Sequence, residues 1–240
     1  DIQTQSLSAY KPFLKTIAKE KIRNLNKDSE LEVFVSELRF IKDAYEIAEM
    51  RKAVAASVKG FESAARSLKQ AVGHPRGERI VETAFYSQAR VEGNGLGYET
   101  IAASGPHACT LHWITNDGPV KNHDLLLLDA GVEVESLYTA DVTRTLPVSG
   151  KFTDIQRKIY DAVLEAADAA FKVAKPGVKF SDIHQAAMNV IAKKTEEWGL
   201  IGITAEESLK QDVQLHRRWM VHGTSHHLGM DVHDCGQARR

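Results

Sequence analysis

The sequence predicts an α+β domain built from two similar αβ halves, and three observations predict it. The chain has 240 residues of which 43% are hydrophobic, enough for one large core or two small ones. Apolar spacing runs helix, helix, short strands, helix, helix, then strand-like pieces. The strand-like stretches are bounded by turn residues, as in Asn116-Asp117-Gly118-Pro119.

The elements follow in order. Residues 1 to 36 are polar and read as a connector or the stub of a missing N-terminal domain, with Lys15, Lys19, Lys21, Arg23 and Lys27 on a short helix and a break from Asn24 to Ser29. From Arg39 to Val72 the residues Ile41, Tyr45, Ala48, Ala55, Val58, Phe61, Ala65 and Leu68 recur mostly at threes and fours, which predicts a long helix with one buried stripe. Gly73-His74-Pro75-Arg76-Gly77 ends it, and a second helix spans Glu78 to Ala89 before Glu92-Gly93-Asn94-Gly95-Leu96-Gly97. These glycines read as a plain loop, since no strand precedes them and no lysine follows at the offset a phosphate cradle needs. Strands are predicted at Thr100 to Ala103, Thr110 to Ile114, Leu125 to Val134 and Leu137 to Val148. A helix from Thr153 to Ala174 stops at Lys175-Pro176-Gly177, and another follows the cap Ser181-Asp182 as far as Trp198.

Charge narrows the function. With 31 basic and 32 acidic residues the formal net charge is −1, so there is no basic field to hold nucleic acid. No apolar run approaches the roughly 20 residues needed to span a bilayer, and no secretory leader pattern opens the chain, so the expected address is the cytoplasm. Cys109 and Cys235 are too few for a disulfide framework and read as small packing residues. A start at Asp1 and a stop at Arg239-Arg240, soon after the richest motif, suggest a fragment.

Two carboxylates sit in otherwise apolar strands, Asp129 after four leucines and Asp141 in Tyr138-Thr139-Ala140-Asp141-Val142. A hairpin turning about Glu135 would make them direct cross-strand neighbours, with Cβ atoms roughly 4.5 to 5.5 Å apart. Two such groups call for intervening cations. The plainer alternative makes Asp129 a strand cap and pairs Asp141 with Arg144.

Downstream, His222-Gly223-Thr224-Ser225-His226-His227-Leu228-Gly229-Met230-Asp231-Val232-His233-Asp234 gathers four imidazoles. His222 and His226 are four apart, but the glycines and hydroxyl residues disfavour a helix, so the segment reads as extended or looped. His226 suits a metal ligand, and His222 and His233 suit hydrogen bonding or proton transfer at a substrate carbonyl. His112, expected on the Thr110 to Ile114 strand, is a further site candidate. His74, His107, His123, His184, His216 and His227 read as surface or packing residues.

These motifs resemble the metal-dependent peptidases of the pita-bread fold, a family that includes aminopeptidase P, prolidase, methionine aminopeptidase and the metal-free creatinase. The likeness begins at Arg39-Phe40-Ile41-Lys42-Asp43-Ala44-Tyr45-Glu46 and runs through Asp129-Ala130-Gly131 and Asp141-Val142-Thr143-Arg144-Thr145 to the histidine segment. That segment is most similar to the aminopeptidase P and prolidase branch.

The resemblance implies a pita-bread fold, two αβ halves around a curved antiparallel sheet, over residues 37 to 240. It implies Asp129, Asp141 and His226 as metal ligands, and His112, His222 and His233 lining the substrate site. It also implies two divalent ions, manganese first with cobalt or zinc also suited, a peptide substrate with proline second, and a dimeric or tetrameric whole protein. Two further glutamate ligands that the family uses have no counterpart here, so the domain is expected to lack its last strands. Removal of the residue before proline is the expected activity. A dipeptide-only prolidase and an inactive peptide-binding member or fragment are its rivals.

Overall fold

In the computed structural model, which describes residues 25–236, a helix stands ahead of the long one expected from Arg39. Helix α1 (Leu25–Leu38) runs through the break expected at Asn24 to Ser29, and α2 (Ala44–Ala71) starts later than Arg39. Asp43 explains the late start. Its side chain accepts the Glu46 N–H at 2.9 Å while the Glu46 carboxylate accepts the Asp43 N–H at 2.7 Å, a capping box that fixes the first turn. The expected helix through Lys15, Lys19, Lys21 and Arg23 lies outside the described residues, as do Arg239 and Arg240.

Helix α3 (Gly77–Glu92) packs along α2 through Phe85, which is fully buried and meets the Phe61 ring edge-on, with centroids 5.6 Å apart. Gly60 permits this approach, because a Cβ there would come within 2.6 Å of the Phe85 ring.

The helix pair covers one face of an antiparallel sheet ordered β2 (Ile101–Ser104), β3 (Leu125–Ala130), β5 (Val142–Pro147). Alternation along β3 buries Leu126, Leu128 and Ala130 against the helices and turns Leu125, Leu127 and Asp129 to the other face. Beside this sheet, β1 (Gly95–Leu96) pairs with β4 (Val132–Glu133), and the Ser57 hydroxyl accepts the Val132 N–H at 2.9 Å to tie β4 to α2.

The hairpin register corrects the sequence expectation. Asp129 lies opposite Thr143, so Asp141 comes level with Gly131 rather than with Asp129. The turn is the cause: Val134 donates its N–H to the Tyr138 carbonyl at 3.0 Å, leaving a three-residue loop in which Leu137 takes a left-handed φ of 70°.

Gly131 is a second control on this hairpin. A Cβ there would stand 1.6 Å from the Ala140 carbonyl oxygen and 3.0 Å from the Tyr98 ring. Gly131→Ala is therefore expected to push the strands apart and cost about 2 kcal/mol, read by denaturant unfolding.

Residues Thr110 to Ile114 do not form the predicted strand. A loop stands there, after a 3₁₀ helix (Gly105–Cys109), because the buried Glu78 draws Ser104, His107, Trp113 and Gly118 around itself. His112 is thus exposed on a loop.

Helix α4 (Asp154–Val173) begins after Thr153 as expected, with a capping box to Gln156. Helix α5 (Phe180–Glu197) begins before Ser181, because Asp182 accepts the Lys179 N–H at 3.2 Å from inside the first turn. Helices α4 and α5 pack on each other through Ala166, Ala170, Ala187 and Met188, and are followed by the short helix α6 (Ala205–Ser208) and a 3₁₀ turn (Leu215–Arg218). Among the described residues no strand follows α5, so the histidine segment is loop and the second half shows helices alone. No helix among them is long and apolar enough to cross a membrane.

Candidate active site

Asp129 and Asp141 converge despite the shifted register. A slip of two residues keeps each side chain on its face, and both reach one phenol. The Tyr98 hydroxyl lies 2.5 Å from Asp129 Oδ1 and 2.8 Å from Asp141 Oδ1. Burial, followed by the bonds and charges of the two carboxylates, pushes the Tyr98 hydroxyl far above its usual range, so it remains a donor. Thr143, the actual cross-strand partner of Asp129, donates its hydroxyl to Oδ2 at 2.8 Å.

The histidine segment docks onto this hairpin. Thr139 donates its N–H to the Gly229 carbonyl at 3.0 Å, and Asp234 donates its N–H to the His227 carbonyl at 3.0 Å, curling the segment on itself. Its far end is clasped by the chain before α2. Lys42 Nζ stands 2.5 Å from Asp234 Oδ2, and Arg39 reaches Asp234 Oδ1 at 2.7 Å and Asp231 at 2.8 Å. The Asp234 side chain is only 1% exposed. Burial alone would raise its carboxyl, but the Lys42 hydrogen bond, the Cys235 N–H and the charges of Lys42 and Arg39 outweigh it and hold the group below the usual carboxylate range.

The clasp delivers His226 to the acids. Its Nε2 lies 2.8 Å from Asp141 Oδ2, and its Nδ1 lies 2.9 Å from the His227 carbonyl. A carbonyl only accepts, so Nδ1 carries its hydrogen there and Nε2 faces a carboxylate. A positive species, a proton or a metal ion, belongs between that nitrogen and Asp141. His233 stacks on His226, with centroids 4.0 Å apart and planes 24° from parallel. The Arg144 alternative is not seen, since that guanidinium donates to the Thr143 carbonyl.

The structure therefore brings together Asp129, Asp141, His226 and His233. It does not bring His222 or His112 to them. His222 is exposed, with Nδ1 2.7 Å from the Gly223 carbonyl, and His112 is exposed, its own carbonyl accepting the Ile114 N–H at 3.0 Å. Tyr98 escaped the sequence reading, its only signal being an aromatic hydroxyl beside Gly97 in what looked like a plain loop.

Three further histidines hold contacts within the fold. His227 sits between Phe40 and Phe180, and burial, then the Lys42 charge, lowers its pKa. His216 is buried against Ser208, and His184 accepts the Thr224 N–H at 3.2 Å. An apolar cleft of about 590 Å³ between α4, α5 and Trp219 opens beside His226.

As a donor set, two carboxylates and one imidazole suit a hard or borderline divalent ion. Among the described residues, no three His, Cys, Asp or Glu side chains close around one ion by themselves. The arrangement fits the inner part of a metal site.

Comparison with known proteins bears on the same residues. A family profile described as metallopeptidase family M24 matches residues 48–240. Xaa-Pro aminopeptidase 1 of Streptomyces coelicolor is 53% identical over 213 residues, 89% of this chain and 43% of the relative. Xaa-Pro aminopeptidase 2 of Streptomyces lividans is 52% identical over 89% of this chain and 44% of its own length. The chain thus spans less than half the length of these curated relatives. Among solved structures, a substrate complex of a variant Escherichia coli aminopeptidase P superimposes with a TM-score of 0.77 at 32% identity, covering 85% of this chain and 45% of that one. The aminopeptidase PepP of Pseudomonas aeruginosa does so with a TM-score of 0.77 at 31% identity, over 88% of this chain and 46% of that one. The fold is the α+β pita-bread fold, as the motifs implied. A profile match that takes in both aspartates, Tyr98 and the whole histidine segment places the chain in metallopeptidase family M24, a family whose description implies divalent metal ions.

Proposed function

We propose that the protein is an Xaa-Pro aminopeptidase that removes the N-terminal residue preceding proline, with two divalent ions, manganese by preference, at Asp129, Asp141 and His226. The observation that carries this reading is the chain of contacts from Asp129 through Tyr98 to Asp141 and His226 Nε2. The names of the Streptomyces relatives support the substrate class.

Divalent ions, when bound, supply a water activated at neutral pH and a Lewis acid for the scissile carbonyl. The chain's own groups do the rest. Thr143 and Tyr98 orient the two carboxylates, and the His227 carbonyl fixes the His226 ring so that Nε2 points inward. By the family likeness His222 and His112, exposed on loops and out of contact with Asp129, Asp141, His226 and His233, are the groups that meet the developing oxyanion. An Xaa-Pro bond has no N–H, so its nitrogen must gain a proton as it departs, and His233, stacked on His226, is placed to deliver it.

The whole protein, stripped by chelator and reloaded with manganese, cobalt or zinc, tests this against an Xaa-Pro-Xaa tripeptide, the same peptide with alanine second, and an Xaa-Pro dipeptide. Cleavage of the first bond only with metal and only before proline is the expected result. Cleavage that survives metal removal would reject the proposal, dipeptide-only cleavage would make it a prolidase, and binding without cleavage an inactive member.

A further inference from the structure

Glu78 is fully buried, in the first turn of α3 and outside the group of residues just described. Its two carboxylate oxygens are saturated. Oε1 accepts the Ser104 N–H at 2.8 Å and lies 2.8 Å from His107 Nδ1, while Oε2 accepts the Trp113 indole N–H at 2.9 Å and the Gly118 N–H at 2.8 Å. A carboxylate offers about four lone-pair positions, so none is left over. The loop is packed as tightly as it is bonded. The His107 ring stacks on Trp113 with centroids 3.9 Å apart, and a Cβ on Gly118 would meet the His107 ring at 2.5 Å.

The four donors belong to residues 104, 107, 113 and 118, the two arms of one loop, and its exposed tip carries His112 next to Trp113. An apolar side chain would fill the same space without the cost of burying a charge, so packing alone does not call for a glutamate. A charge that gathers both arms does something that packing cannot, since it fixes a single loop conformation. We propose that Glu78 is the positioning residue that sets where His112 presents its imidazole to substrate, an inference that rests on the substrate-facing role given to His112 above.

The test is a mutant cycle in the metal-loaded whole enzyme on an Xaa-Pro-Xaa tripeptide, using Glu78→Gln, Trp113→Phe, His112→Ala and the two doubles with His112→Ala. Glu78→Gln turns an amide NH₂ against N–H donors and is expected to lower kcat by about tenfold or more, with metal per chain unchanged. Trp113→Phe keeps an aromatic ring, loses one donor and is expected to lower kcat by about threefold. Added to His112→Ala, neither should reduce kcat further, because both act through the same imidazole. Losses that multiply in the doubles, a fall in metal content, or a folded Glu78→Gln with unaltered kcat would each overturn the positioning role. If Glu78→Gln does not fold, the Trp113→Phe cycle decides alone. His112→Ala with undiminished kcat would instead reject the role of His112 itself, a different result from multiplying losses.

Discussion

Asp129→Ala is expected to abolish metal-dependent turnover, lowering kcat/KM by well over the 10- to 100-fold typical of groups that merely support a ligand. The expectation follows from position. Asp129 is next to last in β3, where it accepts from Tyr98 and Thr143, and its removal takes away one of the three ligands proposed for this chain. Metal per chain, read on the purified protein by elemental analysis, should fall in step with activity. Stability of the metal-free protein should change little, since both hydroxyls that lose an acceptor have other partners in reach, Asp141 for Tyr98 and solvent for the exposed Thr143. An Asp129→Ala protein that kept both its metal and its activity would remove the aspartate pair from the chemistry.

Lys42→Ala is expected to destabilise the fold by about 3 kcal/mol, near the lower end for breaking a buried ion pair, because Arg39 remains to hold the other Asp234 oxygen. The effect depends on pH in a stated direction. Asp234 has a folded pKa held below its unfolded value, so its contribution is fully present above the unfolded carboxylate range near 3.9 and is lost as pH falls through the lower folded value. Wild type should therefore lose stability on acidification through that window, and Lys42→Ala should show less of that loss. Urea unfolding at a series of pH values from neutral down to about 3 measures both. Equal acid dependence in the two proteins would show that the Lys42 contact does not set the Asp234 titration.

Most of this site could be read from the sequence because it depends on parity and on local motifs. Asp129 and Asp141 were expected to be direct neighbours and are not, yet they still meet, since a register error of two residues leaves every side chain on its own face. The error arose at Leu137, where a left-handed backbone in a residue other than glycine gives no sequence signal. The Thr110 to Ile114 segment failed for a different reason. Its apolar run fits a strand, but a fully buried glutamate distant in sequence imposes a loop, and pattern reading weighs only near neighbours. Tyr98 was missed because its role exists only in three dimensions, where two carboxylates on separate strands share one hydroxyl. The helix caps moved to Asp43 and Lys179 because a carboxylate three residues on, Glu46 or Asp182, rather than the hydrophobic pattern, decides where the first turn closes.

The link from Arg39 and Lys42 to Asp231 and Asp234 joins positions 192 to 195 residues apart. Closing a loop of that length costs roughly 4.7 kcal/mol of chain entropy, whereas the α2–α3 and α4–α5 hairpins form from near neighbours. On that ground the acids are expected to assemble early during folding and the imidazole to arrive last. A molecule still completing itself would hold the two carboxylates without their histidine until the two remote stretches of chain have found each other.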